Sequence, residues 1–461
     1  MAAELPRKVR LTRDDPRHRR RRPRGCAVTH RDHDLARRHQ TGQTSPEMST
    51  SPATYRHVLG VAEFRWLWLA HLLSVIGDQL ARVALTLLVF DRTESAGLAA
   101  LTYALTYLPD LVGGATLAGL ADRFPRRDVM VAADLARAAL VAAMAIPGVP
   151  LAGQVCLLAV VQLLTAPFSA ARQAALPDIL SGDRLMLGLG IISMTYQASL
   201  VVGFGAAAAL VAEFGVHTAL LINAATFALS ALLIAHGLSP HRPAALTAGS
   251  RSAAPGQWAT IRAGWHGVAR DPRLLTLLAI ACCSGFYVVP EGLAVPYATE
   301  LGAGSAAVGW LLAANPVGTF LGMLVLRRVR VDRRLVLMGP LAVASSAILI
   351  PTPWAPGLAA AVVLWTLSGL FSAHDMITQA AYVEATPPHL RGQAVGLAIA
   401  ALRAAQGVAI VAAGIFAQLV APSTVIAVAA VLGTLAATAA AVRWSRLGPA
   451  STPRRASGPS R

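Results

Sequence analysis

Apolar residues along the chain gather into long runs separated by short polar stretches. Twelve runs approach or exceed the length of about 20 residues that a helix needs to cross a hydrocarbon core. They cover 64–90, 97–120, 129–147, 151–171, 185–211 and 217–237, then 273–298, 305–326, 335–353, 356–380, 393–419 and 422–442. Most are apolar on all sides, unlike the single apolar stripe of a soluble helix. Lipid offers no partner to a peptide group, so each run is predicted helical, with breakers such as Pro290 and Pro316 covered by neighbouring helices. The pattern predicts an all-α polytopic membrane protein with 12 transmembrane helices.

The runs repeat. Starts of spans 1–6 and 7–12 differ by 209, 208, 206, 205, 208 and 205 residues. Gln173-Ala174-Ala175 returns as Gln379-Ala380-Ala381, and Gly188-Leu189 as Gly396-Leu397. Two parallel six-helix repeats joined by a polar linker are a transporter plan, with the substrate site between the halves. The expected division is a basic tail at 1–63, bundles at 64–237 and 273–442, a linker at 238–272 and a tail at 443–461.

Composition agrees: 55% of the 461 residues are hydrophobic and 14% charged, too apolar for a disordered chain and too sparsely charged for an ordinary soluble one. The four cysteines, Cys26, Cys156, Cys282 and Cys283, are expected as packed thiols. The net charge of +17 is explained by topology. With the N-terminus inside, external loops hold one arginine, Arg92, whereas the internal loops and C-terminal tail hold 21. This bias predicts both termini in the cytoplasm of a cell-membrane protein. Residues 1–47 carry 13 basic and 6 acidic side chains and no signal-peptide core. Met48 is the expected true start, with the leader a misassigned extension. The run Arg17-His18-Arg19-Arg20-Arg21-Arg22 precedes no folded nucleic-acid reader, so lipid headgroups, and not nucleic acid, are its expected partner.

Residues 118–127 read Ala-Gly-Leu-Ala-Asp-Arg-Phe-Pro-Arg-Arg. This resembles the loop between helices 2 and 3 of the major facilitator superfamily, with Ala118 and Pro125 replacing its two glycines. Phe64-Arg65-Trp66-Leu67-Trp68 before Gly77-Asp78, the segment Ala170 to Pro177, Asn223-Ala224 and Leu390-Arg391-Gly392-Gln393 resemble the branch that holds the enterobactin exporter and many actinobacterial efflux proteins. The resemblance implies a gate formed by Asp122, Arg123, Arg126, Arg127, Arg172 and Arg391, in which Asp122 latches against helix 11. It also implies efflux coupled to protons. Two markers of drug/proton antiporters are missing: helix 4 has no arginine before Arg172, and Gly203-Phe204-Gly205 in helix 5 lacks proline.

Charges inside a span are costly unless paired or hydrated, which marks candidates for coupling or cavity roles. Asp78 with Arg82, and Asp134 with Arg137, stand one helical turn apart and are expected to pair locally. Asp110, Glu291, Asp375 and Arg403 have no such neighbour. Desolvation favours the neutral form of a carboxylate, so a buried acid can exchange a proton with cargo. Glu291, bracketed by Pro290 and Pro296, is expected to do so with Asp110 or Asp78. Tyr103, Tyr107, Tyr196 and Tyr287 are expected to stack on an amphipathic cargo.

The histidines show no metal-ligand spacing and there is no phosphate loop, so neither a metal, a cofactor nor an enzyme activity is expected. The predicted function is proton-coupled export of a hydrophobic or amphipathic small molecule, such as a drug, antibiotic or siderophore, by a monomer among membrane lipids. An importer or uniporter on the same fold, and a membrane-embedded enzyme, are the alternatives.

Overall fold

A computed structural model describes residues 54–117, 120–240, 265–387 and 390–447, all within one unit, Ala53–Arg461. The basic leader, most of the linker and most of the C-terminal tail lie outside the described residues. A short helix, Tyr55–Leu59, leads into α1 (Ala62–Thr93). Then follow α2 (Ala96–Ala104, Leu108–Thr116 and Leu120–Arg123), α3 (Arg126–Met144) and α4 (Leu151–Leu163 and Thr165–Ile179). The stretch Asp183–Gly237 is two helices, α5 (183–214) and α6 (216–237), turned at Gly215, whose φ of 78° only glycine adopts without strain. The second half has α7 in four pieces (Pro272–Cys282, Ser284–Tyr287, Val289–Gly292, Ala294–Glu300), then α8 (Ser305–Arg327) and α9 (Val331–Ala347). It ends with α10 (Leu358–Ser372 and His374–Ala385), α11 (Arg391–Phe416) and α12 (Pro422–Leu447).

Eight continuous stretches are each long and apolar enough to cross a membrane, and one of these is the α5–α6 pair. The other three crossings are α2, interrupted at Leu105–Tyr107, α3, with Asp134 and Arg137 in its middle, and α9, which has 17 residues. Among the described residues there is no strand. The chain is therefore an all-α, multi-pass membrane protein with twelve transmembrane helices. Span 9 was expected to run to residue 353, but α9 stops at Ala347, and Thr352–Trp354 forms a 3-10 turn between Pro351 and Ala355. Two prolines there remove the amide donors that would continue an α-helix.

Several hydroxyls inside the spans are satisfied by their own helix. Thr86 Oγ1 donates to the Arg82 carbonyl at 2.7 Å and Thr366 Oγ1 to the Val362 carbonyl at 2.7 Å, so neither is exposed to lipid unsatisfied.

The hydrophobic packing defines two ends. At the arginine-poor end one buried cluster joins both halves: Leu80, Tyr103 and Phe204 pack with Val289, Leu311 and Ile410. Across this seam α2 packs on α11 and α5 on α8. Gly414 lies so close to α2 that an added Cβ would stand 2.4 Å from Ala100 Cβ. At the arginine-rich end the buried clusters are separate, one confined to Val58–Leu238 and the other to Val268–Ala440. The halves thus share a core at one end only.

Candidate functional site

Between the halves lies a cavity of about 450 Å³, within the usual range for a small-molecule site. Arg82 and Arg403 stand at its deep end. His71, Arg172, Ser193, Met323 and Gln379 line it from the arginine-rich halves of α1, α4, α5, α8 and α10. Because the seam closes the opposite side, access is from the arginine-rich end.

One wall carries a buried ion network. The Arg137 side chain, 0% exposed, donates to Asp134 Oδ1 at 2.9 Å, to Ser74 Oγ at 3.0 Å and to Asp78. Asp134 Oδ2 accepts from Ser230 Oγ at 2.5 Å, and the guanidinium lies 4.0 Å from the Phe227 ring centre. Asp134 and Arg137 thus pair locally, whereas Asp78 turns to Arg137 on α3 and not to Arg82. The physical reason is that one guanidinium offers five donors in a rigid fork, enough for two carboxylates and a hydroxyl. Arg82 instead stacks over Tyr103 and Tyr107, at 5.2 and 5.5 Å from their ring centres. Ser74 and Ser230 complete the network, and no sequence spacing distinguishes them from other serines.

The second cluster crosses the seam. Tyr103 Oη donates to Glu291 Oε2 at 2.9 Å, and Tyr107 Oη approaches the same oxygen at 3.4 Å. Arg403 of α11 lies 5.3 Å from the Tyr107 ring centre. Both helices are broken where they meet. In α2, Thr106 and Tyr107 bond back three residues, to the Tyr103 and Ala104 carbonyls, and in α7 Glu291 N bonds to the Val288 carbonyl. Pro109 and Pro290 supply no amide at these points. Along α7, Tyr287 Oη donates to Asp375 Oδ2 on α10 at 2.5 Å. Asp375 also faces His374 Nε2 at 3.5 Å.

Of the four tyrosines expected to stack on cargo, Tyr196 lines the cavity. Tyr103, Tyr107 and Tyr287 are at most 6% exposed and hold carboxylates. A buried carboxylate needs donors more than a cargo needs further rings. The cavity is also charged, since four arginines and one acid, Asp78, line it.

Of the gating set, Arg126 donates to the Ala174 carbonyl at 2.7 Å and pairs with Asp178, and Arg127 donates to the Ala235 carbonyl at 2.5 Å. These bonds tie α3 to α4 and α6 within one half. Arg123 and Arg391 are exposed, and Arg172 faces the cavity. Asp110 and Asp122 lie on α2, and their side chains are outside the described residues. No cluster of three metal-ligating residues occurs among the described residues. Of the cysteines, Cys156, Cys282 and Cys283 are free thiols; Cys283 is buried and Cys282 partly so, but Cys156 is exposed and not packed as expected, and Cys26 lies outside the described residues.

The family model of the Major Facilitator Superfamily matches residues 67–291 and 292–460, taking in both halves. The multidrug efflux pump Tap of Mycobacterium tuberculosis is 28% identical over 372 residues, covering 75% of this chain and 84% of Tap. The MFS-type transporter YfiS of Bacillus subtilis is 26% identical over 262 residues, 56% of this chain and 62% of YfiS. Two solved transporters share the fold. A POT family transporter in complex with 5-aminolevulinic acid has a TM-score of 0.66 at 10% identity, covering 86% of this chain and 98% of that one. The nucleoside transporter NupG has a TM-score of 0.62 at 14% identity, covering 82% of this chain and 99% of NupG. With two six-helix halves around one cavity, the chain is a transporter and not an enzyme, and it belongs to the Major Facilitator Superfamily.

Proposed function

We propose that this transporter exports amphipathic small molecules across the cell membrane by alternating access, exchanging them for protons at Glu291, with both termini in the cytoplasm. The observation that carries the reading is the bond from Tyr103 of one half to Glu291 of the other at the closed seam. For the seam to open, that bond must break. A hydrogen bond is stronger to a charged acceptor than to a neutral one, so adding a proton to Glu291 changes the energy of opening. Export is the direction supported by the likeness to Tap, a multidrug efflux pump. The arginine count, 21 against 1, supports the cytoplasmic placement of the cavity mouth.

The test is transport in proteoliposomes under an imposed pH gradient. Glu291→Gln should abolish gradient-driven accumulation of an amphipathic dye while downhill exchange continues. Undiminished gradient-driven transport by that variant would overturn proton exchange at Glu291.

A further inference from the structure

We propose that the cargo carries an acidic group, a carboxylate, sulfonate or phosphate ester, and that Arg172 and Arg82 hold it. The inference rests on the reading of the chain as a transporter of amphipathic small molecules and names the charge of what it carries. Four arginines line the cavity, Arg82, Arg137, Arg172 and Arg403, against the single acid Asp78. That acid is already committed, because Asp78 and Asp134 both hold Arg137. Arg172 makes neither a hydrogen bond nor an ion pair with any described residue, and its Nε is buried without a partner. Arg82 is held by Tyr103 and Tyr107 with the Glu291 carboxylate beyond them, and its Nε is unpartnered.

An unpaired guanidinium inside a bilayer costs several kcal/mol unless something neutralises it. Arg126 and Arg127, near the membrane surface, by contrast each reach an acceptor through a terminal nitrogen, Arg126 the Asp178 carboxylate and Arg127 the Ala235 carbonyl. Arg172, turned to the cavity, has no acid against it among the described residues. Between Arg82 and Arg172 the wall is polar, with Gln79, Gln162 and Ser169, while Met323 and Met376 face it from the other half. Arginines at the deep end and on α4, with two pliable methionines across from them, suit an organic anion with an apolar body. A cationic drug would meet like charge at the deep end of the site, which is unfavourable in a low-dielectric cavity.

The experiment compares three probes that share one fluorophore: dansylglycine (anionic), dansylglycinamide (neutral) and dansylcadaverine (cationic). Binding is measured to the full chain in phosphatidylcholine nanodiscs, net of empty nanodiscs. Dansylglycine should bind at least about tenfold more tightly than the other two, as expected for one charge-assisted contact. Arg172→Gln should weaken dansylglycine binding by about tenfold to a hundredfold and leave dansylglycinamide unchanged, and Arg172→Lys should restore most of it. Because Arg172 holds no other residue, an unchanged size-exclusion profile should accompany the loss. Tighter binding of dansylcadaverine, or unchanged dansylglycine binding by Arg172→Gln, overturns the inference and leaves amphipathic transport standing. If none of the three binds, the amphipathic-cargo reading falls together with it. Selective dansylglycine binding without gradient-driven transport would remove proton exchange and leave the anion site in place.

Discussion

The Tyr103 hydroxyl of α2 reaches Glu291 of α7 at 2.9 Å, and the two residues belong to different halves of the molecule. Tyr107, one turn further on, approaches the same carboxylate oxygen at 3.4 Å. A single acid is thus shared by two hydroxyls, and separating the halves at that end would require both to leave it.

Tyr103→Phe is expected to loosen the seam without unfolding either half. Hydrogen bonds between membrane helices average about 0.6 kcal/mol and reach about 1.7, which corresponds to about a three- to twentyfold shift towards the open seam. Ala413, 5% exposed within the seam, reports this as a cysteine. In a background lacking native cysteines, Ala413→Cys should react faster with an impermeant maleimide when Tyr103→Phe is added. Tyr107→Phe, which loses the longer contact, should have the smaller effect.

Arg137→Met should be far more damaging than any change at the seam. Removing one member of a buried ion network leaves the others uncompensated, at about 3–5 kcal/mol. Here Asp78 and Asp134 would face each other without a cation between them. Thermal unfolding in detergent should show a large loss, and adding Asp78→Asn to Arg137→Met should recover part of it.

Gly414→Leu tests closure by volume. Its first carbon would already stand 2.4 Å from Ala100 Cβ, so α11 and α2 must part. Accelerated maleimide labelling of Ala104→Cys, a seam residue at 0% exposure, is the expected result, with a smaller loss of thermal stability than Arg137→Met gives.

Gly215→Ala probes the turn between α5 and α6. At φ 78° and ψ 169° a side chain is strained, and such positions cost about 1–3 kcal/mol. Stability should fall by that order in detergent melting, while binding of a given cargo to the folded fraction stays unchanged.

The crossings were legible in the sequence because lipid imposes a length and a polarity that a single chain displays. Pro290 and Pro296 likewise marked α7 as broken around Glu291, since a missing amide is a local property. What one helix does to another was not legible. Asp78 and Arg82 have the spacing of a pair, yet Arg137, 59 residues away, takes the aspartate because α1 and α3 bring it within reach. Tyr103 reads as a ring for cargo until Glu291, 188 residues on, is found at its hydroxyl. Ser230 carried no pattern at all, although Asp134 depends on it. Helix-to-helix register, and not residue type, decided these roles.

The seam has a thermal consequence. Its contacts are alanine, leucine, valine, isoleucine and aromatic carbon, with alanine the commonest, and Glu291 with its tyrosines is the polar inclusion. Hydrophobic association weakens on cooling and carries a large heat-capacity change. If opening the seam admits water to these side chains, the balance between closed and open carries a heat-capacity change and is a curved function of temperature, and chilling is expected to favour the open end without altering one charge in the cavity.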